Sequence, residues 1–107
     1  MKKSIKKQDL NKNSGQMKKW TFISNHGHLL IYLAQNEAAR VRDMAEAVGI
    51  TERAIQIILS DFEEAAIIKK IKEGRRNRYK VNHQIALRHP LEAHKSIGDL
   101  IAMINKR

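Results

Sequence analysis

A chain of 107 residues with a net charge of +10, 42% hydrophobic but only 5% aromatic, is one small domain whose core must be built from aliphatic side chains. It has no cysteine, which excludes disulfides, thiolate metal sites and a cysteine nucleophile. No apolar run approaches the roughly 20 residues of a membrane span, and no apolar signal segment follows the basic N-terminus, so a cytoplasmic location is expected.

The charge is unevenly placed. Residues 1–19 hold seven lysines and one aspartate, and residues 69–80 hold seven basic residues and one glutamate. Residues 20–68, by contrast, hold three basic and seven acidic residues. A tail and one short segment carrying most of the positive charge point to a polyanion-facing edge more than to general solubility.

Residues 1–19 lack periodicity and are rich in Lys, Asn, Gln and Ser, which reads as a disordered basic arm. Trp20 to Ile23 is a short apolar stretch, with Trp20 expected to tie the N-terminal segment to the body. Ser24-Asn25 is a helix start, and Leu29, Leu30, Leu33 and Ala34 give the stripe of a first helix at about 25–36. Arg40-Val41 is a candidate short strand. Asp43 is placed to begin or cap a second helix, Met44 to Val48, with Met44, Ala45 and Val48 buried. Gly49 supplies the left-handed residue that stops it.

Ile50 then plugs the turn and Thr51 caps the next helix, with Glu52 at the positive end of its dipole. Ile55, Ile58, Leu59 and Phe62 fall at i, i+3, i+4 and i+7 and make one apolar face. Arg53, Ile57 and Ser60 lie opposite it, with Gln56 on the flank. Helix, short glycine turn and helix make a helix-turn-helix unit. Residues 67–73 then read as a strand, 74–77 as a turn and 78–81 as a returning strand. On that strand Tyr79 and Val81 are expected to point inward, with Arg78 and Lys80 facing water.

Residues 82–89 are an irregular connection before Pro90, which suits the first turn of a final helix at about 91–105. Ile97, Leu100, Ile101 and Ile104 repeat the apolar spacing. That stripe is a candidate subunit interface; packing on the first helix is the alternative. The expected fold is therefore mainly α with a small β-hairpin (α+β), a winged helix-turn-helix with an additional C-terminal helix. The division is a basic arm at 1–19, the winged unit at 20–82 and the connection and C-terminal helix at 83–107.

The chemistry of such a unit is binding to double-stranded DNA, with the long helix (about 51–65) in the major groove and the basic wing (69–80) on the backbone. Arg53 is suited to guanine O6/N7, Gln56 to adenine, and Ile57 to a thymine methyl. Backbone phosphates fall to Arg42, Thr51, Ser60, Lys70, Lys72, Arg75, Arg76, Asn77, Arg78 and Lys80. Other classes find little support. Glu63-Glu64 reads as a solvated face, Ser60 has no His/Asp partner at a suggestive spacing, and there is no glycine-rich phosphate loop. No enzyme activity and no cofactor are expected. Among the histidines, His26/His28 at i, i+2 diverge on a helix, and Pro90 interrupts His89/His94, so no metal site is expected.

Three stretches carry a specific resemblance: Ile50-Thr51-Glu52-Arg53-Ala54-Ile55-Gln56, Asp61-Phe62-Glu63-Glu64-Ala65 and Gly74-Arg75-Arg76-Asn77-Arg78-Tyr79. Together they resemble the winged helix-turn-helix transcriptional regulators of MarR/ArsR type, over about residues 20–104. The resemblance implies a homodimeric DNA-binding transcription factor whose second motif helix reads the major groove. Two positions depart from that pattern: Ile57 stands where a basic residue is common, and Ala66 where a glycine commonly ends the helix. The alternatives are an architectural or single-stranded nucleic-acid-binding winged helix, and a basic protein-interaction domain. Exposed rings are what single-strand binders use, and the aromatic side chains here mostly read as buried.

Overall fold

The computed structural model describes residues 20–106, so the basic arm expected at 1–19 lies outside the described residues. Ser24 starts α1 (Asn25–Gln35) by accepting the Gly27 N–H on its hydroxyl. α2 (Val41–Val48) begins earlier than the spacing of its apolar residues implies, and no strand forms at Arg40-Val41. The reason is local: the Asp43 carboxylate accepts the Arg40 N–H at 3.2 Å, which makes Arg40 the cap and Val41 the first helical residue. Asp43 therefore does cap the helix, but from inside its first turn. Gly49, at φ +86°, ends it.

Thr51 caps α3 (Glu52–Glu64) by accepting the Ala54 N–H at 3.0 Å. The end of α3 is a Schellman motif: the Ile67 N–H donates to Phe62 O at 2.8 Å and the Ala66 N–H to Glu63 O at 3.1 Å. This closure needs a left-handed residue, and Ala66 supplies it at φ 61° without being glycine. The glycine missing from the sequence thus moves neither the helix end nor its geometry; it leaves a strained alanine.

Strands β1 (Ile68–Glu73) and β2 (Arg76–Val81) form an antiparallel hairpin in which Ile68 pairs Val81, Lys70 pairs Tyr79 and Glu73 pairs Arg76. The turn is tighter than the 74–77 expected, because only Gly74 and Arg75 separate the paired ends. Positive φ at Gly74 (63°) and not at Arg75 is the pattern of a type II′ turn, which matches strand twist.

α4 (Ile97–Asn105) is shorter than the helix expected from residue 91. Residues 85–87 pair with 95–97: Leu87 N–H donates to Lys95 O and Ile97 N–H to Ile85 O, each at 2.8 Å. Extended pairing there is incompatible with helical backbone, so the helix waits for the Ser96/Asp99 capping box. Pro90 sits in the turn at the tip of this pairing, and Leu91 is 84% exposed.

One core joins all the elements. α1 gives Leu29, Leu30 and Leu33, α2 gives Met44 and Ala45, and α3 gives Ile55, Ile58, Leu59 and Phe62. Ile67, Ile68, Tyr79 and Val81 close it from the hairpin, and Ile97 and Ile101 from α4. With Leu29, Leu33, Met44 and Ile55 fully buried, large-to-small changes at these positions should cost about 2–5 kcal/mol each. The burial of Ile97 (2% exposed) and Ile101 (6%) corrects the C-terminal stripe: these two face the domain's own core and α1, not a subunit interface. Leu100 is half-buried, and only Ile104 of the four is exposed.

Trp20 is also corrected. It is 77% exposed, it stacks edge-on against Phe22 with ring centroids 5.2 Å apart, and Phe22 is 92% exposed. Neither ring ties the segment into the core.

Candidate nucleic-acid interface

The turn between α2 and α3 is closed by backbone bonds from Gly49 N–H and Ile50 N–H to Ala45 O, at 2.8 and 3.1 Å. Ile50 is half-buried as the plug between the helices. Once Ile55, Ile58, Leu59 and Phe62 are committed to the core, helical geometry leaves Arg53, Gln56, Ile57 and Ser60 on the outer side. All four are exposed, Ile57 at 54%. None of the four engages its side chain in a hydrogen bond or ion pair among the described residues. Thr51 spends its acceptor on the cap, which leaves its O–H as the donor at the positive end of α3.

The far end of α3 has the opposite character. Asp61, Glu63 and Glu64 add negative charge where the helix dipole is already negative. Asp61 is paired with His26 of α1 at 2.9 Å, and the His26 ring lies edge-on to Phe62. The first turns of α3, where the dipole and Arg53 are offset only by Glu52, thus suit an anion better than its end does.

On the hairpin the pleat sorts the basic side chains. Lys70 and Lys72 share a face with Tyr79 and Asn77, while Lys69 and Lys80 lie on the opposite face with Ile71, Arg76 and Arg78. Lys69, Lys70, Lys72, Arg75 and Lys80 are exposed, as is Arg42 on α2. Tyr79 and Val81 point inward as the alternation implies. Three residues of the sequence-derived phosphate set have protein partners instead. Arg76 donates to Ala38 O at 2.6 Å, and Asn77, half-buried, reaches the Tyr79 hydroxyl at 3.5 Å. Arg78, expected to face water, is half-buried: its Nε and one terminal nitrogen donate to Glu73 at 3.1 and 3.3 Å, and the other terminal nitrogen lies 3.5 Å from Glu37. The Glu73 hydrogen bond, with Glu37 adding to it, raises the guanidinium pKa above its ordinary value.

Two further features were not read from the sequence. Lys69 belongs with the exposed lysines, and simple alternation would have found it. An open cleft of about 740 Å³ lies between residues 22–30, the end of α3 and residues 86–100, with Phe22, Leu30, Phe62 and Leu100 among its walls. No periodicity signals such a space, because its walls come from segments far apart in the chain. Among the described residues no group of three or more His, Asp or Glu side chains is placed to hold a metal ion.

No family model and no curated protein matches the sequence. Solved structures do match. Wild-type ZitR of Lactococcus lactis in complex with DNA aligns with a TM-score of 0.50 at 22% identity, over 68% of this chain and 49% of that one. A cysteine-to-serine mutant of ZitR with DNA gives 0.50 at 24% identity, over 72% and 53%. The fold is a winged helix-turn-helix. MepR of Staphylococcus aureus, a transcription regulator of the multidrug efflux pump MepA, aligns less completely, with a TM-score of 0.48 at 24% identity over 54% and 45%. The chain thus spans about half the length of the solved structures it matches. In the terms of this fold, α2 and α3 are the helix-turn-helix and β1–β2 is the wing. Among the described residues no helix is long and apolar enough to cross a membrane.

Proposed function

We propose that this winged helix is a sequence-specific double-stranded DNA-binding transcriptional regulator acting on DNA in the cytoplasm. α3 enters the major groove and the wing lies on the backbone. The observation that carries this reading is the outer face of α3, where Arg53, Gln56, Ile57 and Ser60 are exposed behind a fully packed inner face and beside a lysine-rich hairpin. Arg53 and Gln56 supply the planar, bidentate groups that base edges accept, and Ile57 an apolar partner for a thymine methyl. Ser60 on that face, with Thr51 and Arg42 flanking it, meets the backbone, and Lys70, Lys72, Arg75 and Lys80 neutralise phosphates. The DNA in the ZitR complexes supports the reading by analogy of fold.

The active species is a homodimer on a two-fold-related site. Its support is the apolar surface that α4 itself leaves uncovered, where Met103 is 67% and Ile104 42% exposed. A second reading, a single-stranded nucleic-acid binder, is favoured by one observation: the exposed Trp20–Phe22 pair, rings on which bases can stack. Selection of bound sites from a random duplex pool, beside a single-stranded pool, separates the two. Enrichment of one duplex motif supports the regulator. Uniform recovery of duplex, or preference for single strands, refutes it.

A further inference from the structure

The wing is joined to the loop between α1 and α2 by three contacts that have nothing to do with the hairpin's own ladder. The Tyr79 N–H points away from β1 and donates to Glu37 O at 2.9 Å. Arg76 donates to Ala38 O, and Arg78 lies between the carboxylates of Glu73 and Glu37. Residues 37 and 38 lie just before Arg40, whose backbone N–H donates to the Asp43 carboxylate at the start of the first helix of the helix-turn-helix. One short loop thus touches both the wing and the motif helices.

From this we infer that Glu37 and Ala38 form a clamp that fixes the wing relative to α2 and α3, with Arg76 and Arg78 as positioning residues and not phosphate contacts. The inference rests on the DNA-binding reading for its consequence, but the clamp itself does not need DNA. A two-stranded hairpin alone is marginally stable; here its β2 edge is held by the Glu37 carbonyl, and its outer face by a guanidinium that bridges two elements. A fork of donors is needed to reach Glu73 with two nitrogens and Glu37 with a third, which a lysine point charge cannot reproduce. Arg75, at the turn, and Lys69, Lys70, Lys72 and Lys80 remain exposed for an anion.

Amide hydrogen exchange and duplex binding as a function of salt, on the full chain, test this. The Tyr79 amide is expected to be protected in the wild type and to exchange at least tenfold faster in Arg78→Ala, in Arg78→Lys and in Glu37→Gln combined with Glu73→Gln. Unchanged Tyr79 exchange in all three overturns the clamp, whether or not the protein binds DNA. With duplex, Arg75→Ala should reduce the salt slope by about 0.9, the value for one phosphate contact. Arg78→Ala and Arg78→Lys should instead weaken binding severalfold with the slope unchanged. A slope lowered by Arg78→Ala and restored by Arg78→Lys would make Arg78 a phosphate contact and overturn its positioning role. Failure of the wild type to bind any duplex would refute the DNA-binding reading while leaving the exchange result to decide the clamp.

Discussion

Replacing Ala66 by glycine should stabilise the protein. Ala66 holds φ 61° because the Schellman bonds from Ile67 and Ala66 can close only through a left-handed residue. An L-residue there costs about 1–2 kcal/mol relative to the right-handed region. Glycine removes that cost but widens the unfolded ensemble, returning about 0.4–1 kcal/mol. The Ala66 methyl is exposed, so no packing is sacrificed. The net expectation is a gain of about 0.5–1 kcal/mol, or about 3–6 °C in Tm for a domain of this size. The reverse change is available in the same molecule. Gly49 sits at φ +86° and a Cβ added there meets nothing within 4 Å, so Gly49→Ala should lose a similar amount through the backbone alone. Urea unfolding followed by far-UV circular dichroism, with m held constant, measures both. If Ala66→Gly leaves stability unchanged or lower while Gly49→Ala destabilises, the reasoning about the end of α3 is wrong. DNA affinity should not move in Ala66→Gly, since the change lies beyond the acidic end of the helix.

Arg53→Ala should relax preference at one defined base position, losing about 1–3 kcal/mol of discrimination; uniform weakening across a panel of duplexes would reduce Arg53 to a phosphate contact. Lys70→Ala with Lys72→Ala should weaken all duplexes alike and flatten the salt slope by about 0.9 for each phosphate left without its lysine, read by titration at several salt concentrations. The backbone N–H of Ser96 holds the Asp99 pKa below its ordinary value of 3.8. A carboxylate with a depressed folded pKa contributes stability above its unfolded value, and that stability is lost as pH falls through the folded one. Asp99→Asn should therefore flatten the fall in stability below about pH 4, measured as Tm against pH; an unchanged acid limb would count against the capping box. Ile101→Lys should cost at least about 3 kcal/mol of monomer stability, because it buries a charge in the core. A folded, stable variant that merely loses dimer would return Ile101 to an interface.

The features legible in the chain were those governed by neighbours three or four residues away. The capped α3, its buried set Ile55, Ile58, Leu59 and Phe62, and the exposed Arg53, Gln56, Ile57 and Ser60 all follow from one periodicity. The β2 alternation that buries Tyr79 and Val81 follows from another. At Arg78 and in the last helix the local pattern misled because a partner outside it intervened. Arg78 alternates outward as a solvated residue should, yet finds Glu37, 41 positions earlier in the chain. The helix expected from residue 91 is cut back because 95–97 pair with 85–87. Trp20 looked like a packing residue on composition, but aliphatic side chains fill the core without it.

By itself, then, the sequence determined the helix-turn-helix, the presence of the hairpin and which face of α3 is left over, because caps, turn glycines and apolar spacing act locally and are written in order along the chain. Tertiary structure alone decided what each leftover face meets. Ile97, Leu100, Ile101 and Ile104 share one spacing, yet two are core, one is half-buried and one is exposed, since α1 covers only part of α4. The basic residues of the wing share one charge, yet Arg76 and Arg78 are held by Ala38 and Glu37 while Lys69, Lys70, Lys72, Arg75 and Lys80 stay open to solvent. The physical reason is that periodicity fixes the direction of a side chain, whereas its partner depends on which remote backbone the fold brings within a few ångströms.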